Sequence, residues 1–261
     1  MAADTHIHPT AVIEDGAEIG AGTKIGPYSV IGAGVRLGER CELGPHVVIS
    51  GRTTMGDENQ VSPFVSIGGD AQDLKYAGEE TQLVIGSRNR IRESVTMNRG
   101  TAEGGGLTSI GDDCLFMAYS HVAHDCRVGD GVVLANCAAP AGHVELGDYA
   151  IIGGLAAVHQ HTRVGAMAFV GGGAMVVMDV PPYCVAVGDR AKLQGVNVVG
   201  LRRSGMDEQA VRDVRTSYRI FFQSGLRMQD ALEKLHEEYA ESKEVGLFIR
   251  FIEESKRGVC R

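Results

Sequence analysis

Ile7, Ile13, Ile19, Ile25, Ile31, Leu37, Leu43, Ile49, Met55, Val61 and Ile67 stand six residues apart without a break. Helices repeat about every 3.6 residues and strands every two, so neither produces this series. The period returns at Ile85, Ile91 and Met97, slips by one residue, and resumes from Ile110 through Phe116, Val122, Val128 and Leu134. Past Pro140 it continues at Leu146, Ile152, Val158, Val164, Val170 and Val176. Glycine follows the aliphatic at 20, 26, 32, 38, 44, 56 and 68, and the residue four places on is small or aliphatic, as at Ala17, Thr23, Ser29 and Cys41.

A period of six is the signature of a parallel β-helix solenoid. Each hexad supplies one short strand and one turn, and three hexads make a triangular coil of about 18 residues. The aliphatic points inward, and the glycine is expected to supply the backbone conformation of the corner. Coils stack at about 4.8 Å. The composition agrees: 36 glycines, no tryptophan and 5% aromatics suit repetitive, tightly turned structure better than a mixed core.

The solenoid is expected over residues 1–192. Two segments without hexads, 69–83 (GDAQDLKYAGEETQL) and 98–108 (NRGTAEGGGLT), should protrude from it as loops. The period ends near Val180, at VPPY (180–183). Residues 193–261 read as a connector and a C-terminal bundle of about three helices. The first helix is opened by Asp207, closed by Ser224-Gly225, and lays Ala210, Val211, Val214, Tyr218 and Phe221 on one face. Met228, Leu232, Leu235 and Tyr239 mark a second face, and Val245, Phe248, Ile249 and Ile252 a third.

A net charge of −8 argues against broad nucleic-acid binding. No apolar run approaches the roughly 20 residues of a membrane span, and the N-terminus lacks a signal-peptide pattern, so a cytoplasmic protein is expected. Six scattered cysteines form no C-x-x-C pair and read as reduced thiols, some filling small apolar space.

HVAHDC (121–126) is the segment with the most chemistry. An 18-residue coil places Gly142 and His143 one rung from His124, and His159 close to one rung further. His121, His124, His143 and His159 should form an outward-pointing ladder. Three uses are open: a solvated polar edge, a zinc site, or a general base titrating near neutral pH. Neighbouring side chains on a strand point apart, so Asp125 reaches His124 only if the corner turns there. Gly142 could bring a backbone N–H close to a developing oxyanion.

The segments QDLKYAGE (72–79), NRIRESVTMNRGT (89–101), HVAHDC (121–126), AGHV (141–144), IIGGLAAVHQ (151–160), DVPPY (179–183) and GVNVVGLRRSG (195–205) resemble bacterial UDP-N-acetylglucosamine O-acyltransferases along the whole chain. The resemblance implies a left-handed parallel β-helix with a helical C-terminal domain, assembled as a homotrimer with sites between neighbouring solenoids. It implies transfer of a (3R)-3-hydroxyacyl chain from acyl carrier protein to the glucosamine 3-hydroxyl of UDP-N-acetylglucosamine, in lipid A biosynthesis. By the same resemblance His124 is the general base, Asp125 orients it, and Gly142 supplies the oxyanion-hole amide. Gln72, Asp73, Lys75, His121, His143, His159 and Gln160 match substrate-contacting positions, and Asn197 and Arg203 lie near the nucleotide. No cofactor, metal or covalent intermediate is implied, since the donor is a thioester on the phosphopantetheine of acyl carrier protein.

Val199, Ser204 and His161 depart from the family pattern, where an acidic residue, a second basic residue and a phenylalanine are common. Gly172 matches an acyl-length ruler and would leave the groove open, whereas Phe169 nearby would shorten it. Arg212, Arg215 and Arg219 make a basic stripe that either steers an acidic carrier protein or is a solvated helix face. Three alternatives remain: the same transfer to a 3-amino sugar, a zinc lyase of the γ-carbonic anhydrase type, and a non-catalytic scaffold.

Overall fold

The computed structural model describes residues 4–261. Short strands recur with the hexads from His6–Ile7 to Met175–Val176 and build the three faces of a left-handed parallel β-helix. Regular coils pair 18 residues apart, Ile7 with Ile25, Leu37 with Met55 and Leu134 with Ile152. The periodic aliphatics from Ile25 onward and the residues four places after them form one buried column. Some of its polar members bond to the next coil, as Ser29 Oγ does by donating to Gly44 O (3.0 Å) and accepting from Val47 N–H (3.1 Å), whereas Ser120 Oγ and Thr162 Oγ1 have no partner among the described residues.

Both irregular segments are absorbed with the inward aliphatics still paired, at the cost of a bulge between Ile67 and Gly69. Ile67 pairs with Met97, 30 residues on, and Met97 with Val122, 25 residues on. The excursions leave from Ser66–Gly69 and Thr96–Asn98 and rejoin at Gln82–Ile85 and Leu107–Ile110. Each therefore springs from the same corner of the prism, and on the next coil that corner holds His124 and Asp125.

The expected role of the glycines is corrected. The left-handed backbone falls three residues after the inward aliphatic and is mostly non-glycine, at Tyr28, Arg40, His46, Glu58, Tyr119, Asp125 and His143 among others. The glycine directly after the aliphatic serves close stacking instead. A Cβ on Gly20 would lie 2.2 Å from Gly38 O, and one on Gly26 2.7 Å from Gly44 C. Adjacent coils touch there backbone to backbone.

One face divides where Pro140 enters the ladder, giving a six-stranded and a three-stranded sheet. Proline has no N–H to return to the previous coil. His121 N–H still donates forward to Ala138 O, at 3.0 Å.

The connector is more ordered than a link. Lys192–Val196 pairs antiparallel with Cys184–Val187, which continues the last parallel face. Four helices follow rather than three: α1 (Val198–Arg203), α2 (Glu208–Gln223), α3 (Met228–Glu238) and α4 (Lys243–Glu253). Asp207 caps α2 through Gln209 N–H (2.8 Å) and Ala210 N–H (3.3 Å). Val211, Val214, Tyr218 and Phe221 pack against Phe248, Ile249 and Ile252 of α4 as the spacing predicts. On α3 the buried residues are Ala231 and Leu235, while Met228 is 55% exposed. After α4 the chain returns to the solenoid, where Cys260 N–H donates to Asp179 O (2.8 Å).

Candidate active site

Asp125 occupies the left-handed corner position (φ +59°) three residues after Val122. The turn swings its side chain back, so its Oδ2 accepts from His124 Nδ1 at 2.8 Å. A carboxylate only accepts, so this fixes the proton on Nδ1 and leaves Nε2 with its lone pair free. Thr101 of the 98–108 loop holds the carboxylate, and Thr108 holds the Asp125 backbone. Thr101 donates its hydroxyl to Oδ2 (2.6 Å) and its N–H to Oδ1 (2.9 Å), and Thr108 Oγ1 accepts from Asp125 N–H (2.7 Å). His124 and Asp125 lie off the inward column as expected for His124, yet they are buried because this loop covers them. Its glycines make the approach possible: a Cβ on Gly104 would stand 2.1 Å from the Asp125 carboxyl carbon.

Gly142 faces the free side of the imidazole. A Cβ there would lie 2.5 Å from His124 Cε1 and 2.7 Å from Nε2. Among the described residues Gly142 N–H donates to no protein acceptor, while its carbonyl accepts from His161 N–H (3.1 Å).

The ladder differs from expectation at two of its members, His159 and His121. His143 and His161 share the corner position of Asp125 one and two coils on, with ring centroids 4.3 Å apart and planes 15° from parallel. His159, two residues short of the 18-residue step, instead places Nδ1 3.0 Å from Gln160 O and 3.3 Å from an Arg257 guanidinium nitrogen. His121 is set apart as well, with Nδ1 2.7 Å from Thr96 Oγ1. Burial lowers the His121 pKa below the ordinary imidazole value, and burial likewise lowers that of His143 despite the opposing pull of Asp125.

An open cleft of about 740 Å³ lies over His124. Gln72, Asp73, Lys75, His143 and Gln160 line it, together with Thr101 and His161, which sequence reasoning did not assign to the site. Lys75 Nζ meets Glu103 at 2.9 Å, joining the two loops across the mouth. Asn197 and Arg203 do not line this cleft. Asn197 caps α1 by accepting from Gly200 N–H (3.1 Å), and its amide donates to Met167 O (3.0 Å). Phe169 and Gly172 also lie outside the cleft, with Gly172 beside Gly154 O.

His124, Asp125 and His143 offer ligand atoms within 4.8 Å of one another, a donor set of a type that suits a divalent cation. However, Oδ2 already accepts from both Thr101 and His124, and a metal would have to displace them.

A hexapeptide-repeat solenoid with a buried, oriented imidazole facing a glycine amide defines a transferase of the hexapeptide class. Residues 2–33, 16–51 and 107–139 match the bacterial transferase hexapeptide (six repeats), and residues 179–260 match domain 2 of UDP N-acetylglucosamine O-acyltransferase. An acyl-(acyl-carrier-protein)-UDP-N-acetylglucosamine O-acyltransferase of Anaeromyxobacter dehalogenans is 51% identical over 98% of this chain and 99% of its own. The solved UDP-N-acetylglucosamine O-acyltransferase of Moraxella catarrhalis superposes with a TM-score of 0.95 at 42% identity, over 98% of this chain and 99% of that one. LpxA from Acinetobacter baumannii gives 0.95 at 40% identity, over the same shares of the two chains. The chain belongs to the UDP-N-acetylglucosamine O-acyltransferase family and is an acyltransferase.

Proposed function

We propose that the chain transfers a (3R)-3-hydroxyacyl group from acyl carrier protein to the glucosamine 3-hydroxyl of UDP-N-acetylglucosamine, the first acylation of lipid A biosynthesis. The name of the 51%-identical relative supports donor and acceptor. The carrying observation is the His124 imidazole, bonded to Asp125 through Nδ1 and free at Nε2 opposite Gly142.

His124 Nε2 takes the proton of the sugar hydroxyl as its oxygen attacks the thioester carbon. Asp125 stabilises the imidazolium so formed. The carbonyl oxygen becomes an oxyanion, and Gly142 N–H is the donor placed to receive it. Collapse breaks the C–S bond, and the sulfur leaves as the thiol with the proton returned from His124. The products are an O-acyl ester and free phosphopantetheine thiol, so the protein needs neither a cofactor of its own nor a covalent intermediate.

Gln72, Asp73, Lys75 and Gln160 bind the acceptor along the cleft. Asn197 and Arg203, absent from the cleft of their own chain, serve a site shared with a neighbouring copy in a homotrimer. Phe169 and Gly172 set acyl length along the same shared groove. The working site is cytoplasmic, and no helix among the described residues is long and apolar enough to cross a membrane. Transfer assays with 3-hydroxyacyl carrier proteins of several lengths, against UDP-N-acetylglucosamine and its 3-amino analogue, test the reading. Ester formation with the hydroxyl sugar supports it, and turnover confined to the amino sugar refutes it.

A further inference from the structure

Asp125 Oδ2 lies within reach of two imidazoles. His124 Nδ1 is bonded to it at 2.8 Å, and His143 Nε2 stands 3.7 Å away. A neutral His143 leaves the carboxylate to His124. A protonated one would compete for the same oxygen and place a second cation beside the base, which opposes proton uptake at His124.

The next coil bears on this choice. His161 lies almost parallel to His143 at 4.3 Å, on the face away from Asp125, with its own backbone pinned by the bond from its N–H to Gly142 O. We propose that His161 is a positioning residue that holds the His143 ring edge-on to His124 and keeps it uncharged, reserving Asp125 for the catalytic base. This rests on the assignment of His124 as that base.

The surroundings fit. His143 and His124 meet edge to face, with centroids 5.2 Å apart. Burial opposes charge on His143, as do His161 and His124, while Asp125 and Asp73 favour it. Across the cleft Lys75 is paired with Glu103. On the other side Arg163 is paired with Glu145 and Glu254, and Arg127, Lys256 and Arg257 share the wall with His143 and His161. Asp179 lies on the same wall, so these cations are offset there by three carboxylates, and the charges acting on His143 itself are those of Asp125, His161, His124 and Asp73. Protonation of His143 is thus the event the stack resists, and its effect on turnover belongs at acid pH.

His161→Phe keeps a flat ring on His143 and removes the second imidazole. Full-length protein carrying this change is compared with the parent by two measurements. The first is the ring-proton NMR titration of His143, assigned with His143→Gln. The second is the pH profile of kcat/KM. The expected result is a higher His143 midpoint, with an acid limb that moves with it. Relative to the parent, activity falls about threefold or more further near pH 6 than near pH 8.5. An unmoved His143 midpoint overturns the proposal whether or not His124 is the base. A moved midpoint with an unmoved acid limb overturns its link to catalysis. An equal loss at every pH overturns it in favour of a plain packing or substrate-contact role. His124→Ala tests the underlying assignment separately.

Discussion

His124 and Asp125 are adjacent in the chain, yet their side chains meet at 2.8 Å because Asp125 sits in the left-handed corner of a β-helix coil. In a flat strand the same two side chains would point to opposite faces. The corner turns a dipeptide into a base with its orienting group, and the coil below supplies Thr101 to hold the carboxylate and Thr108 to hold the backbone N–H.

The charge of Asp125 is expected to matter more than its shape. Asp125→Asn replaces an acceptor by a group that can donate toward Nδ1 and favours the wrong tautomer. kcat should fall by about 10²- to 10⁴-fold with KM for the nucleotide sugar little changed. Steady-state kinetics on both substrates check it.

Thr101 reaches Asp125 by two bonds, and only the hydroxyl can be removed by substitution. Thr101→Val leaves a buried carboxylate oxygen short of one donor, which costs about 1–3 kcal/mol and should lower kcat about tenfold or more. The parallel measurement is limited proteolysis of the 98–108 loop, which should become faster.

Gly142→Ala places a methyl where the His124 ring now lies, at 2.5 Å from Cε1. The backbone at 142 is not in the left-handed region, so the solenoid accepts alanine while the imidazole cannot stay. Activity should fall by about 10²-fold or more, the scale of misplacing the general base, with a melting temperature close to the parent's.

Glycines between coils are predicted to behave differently from each other. Gly26→Ala drives a Cβ into the backbone of the next coil and should destabilise by about 1–3 kcal/mol, whereas Gly32→Ala, with its nearest neighbour 3.4 Å away, should be nearly neutral. Chemical denaturation of the two variants separates them.

Much of this was legible in the sequence because a solenoid converts sequence distance into spatial distance. The hexads alone place the inward column, and the 18-residue step places Gly142 against His124. That same step from His143 reaches His161; accepting His159 as near enough hid the stacked pair. Thr101 and Thr108 lay beyond pattern reading, since the fold of a glycine-rich excursion onto Asp125 follows from contacts, not from a period. The left-handed corners were misassigned to the glycines because conformational freedom and close approach both select that residue. Helix α1 was missed because six residues show too little periodicity to register.

Loss of one imidazole tests the mechanism most directly. His124→Ala removes the imidazole whose free basic nitrogen faces Gly142 while leaving the inward column intact. The decisive measurement is turnover of a 3-hydroxyacyl carrier protein with UDP-N-acetylglucosamine by this variant, alongside its sedimentation. Turnover reduced to a trace, in a protein that sediments like the parent, is the predicted result. Near-normal turnover would contradict general-base catalysis by His124.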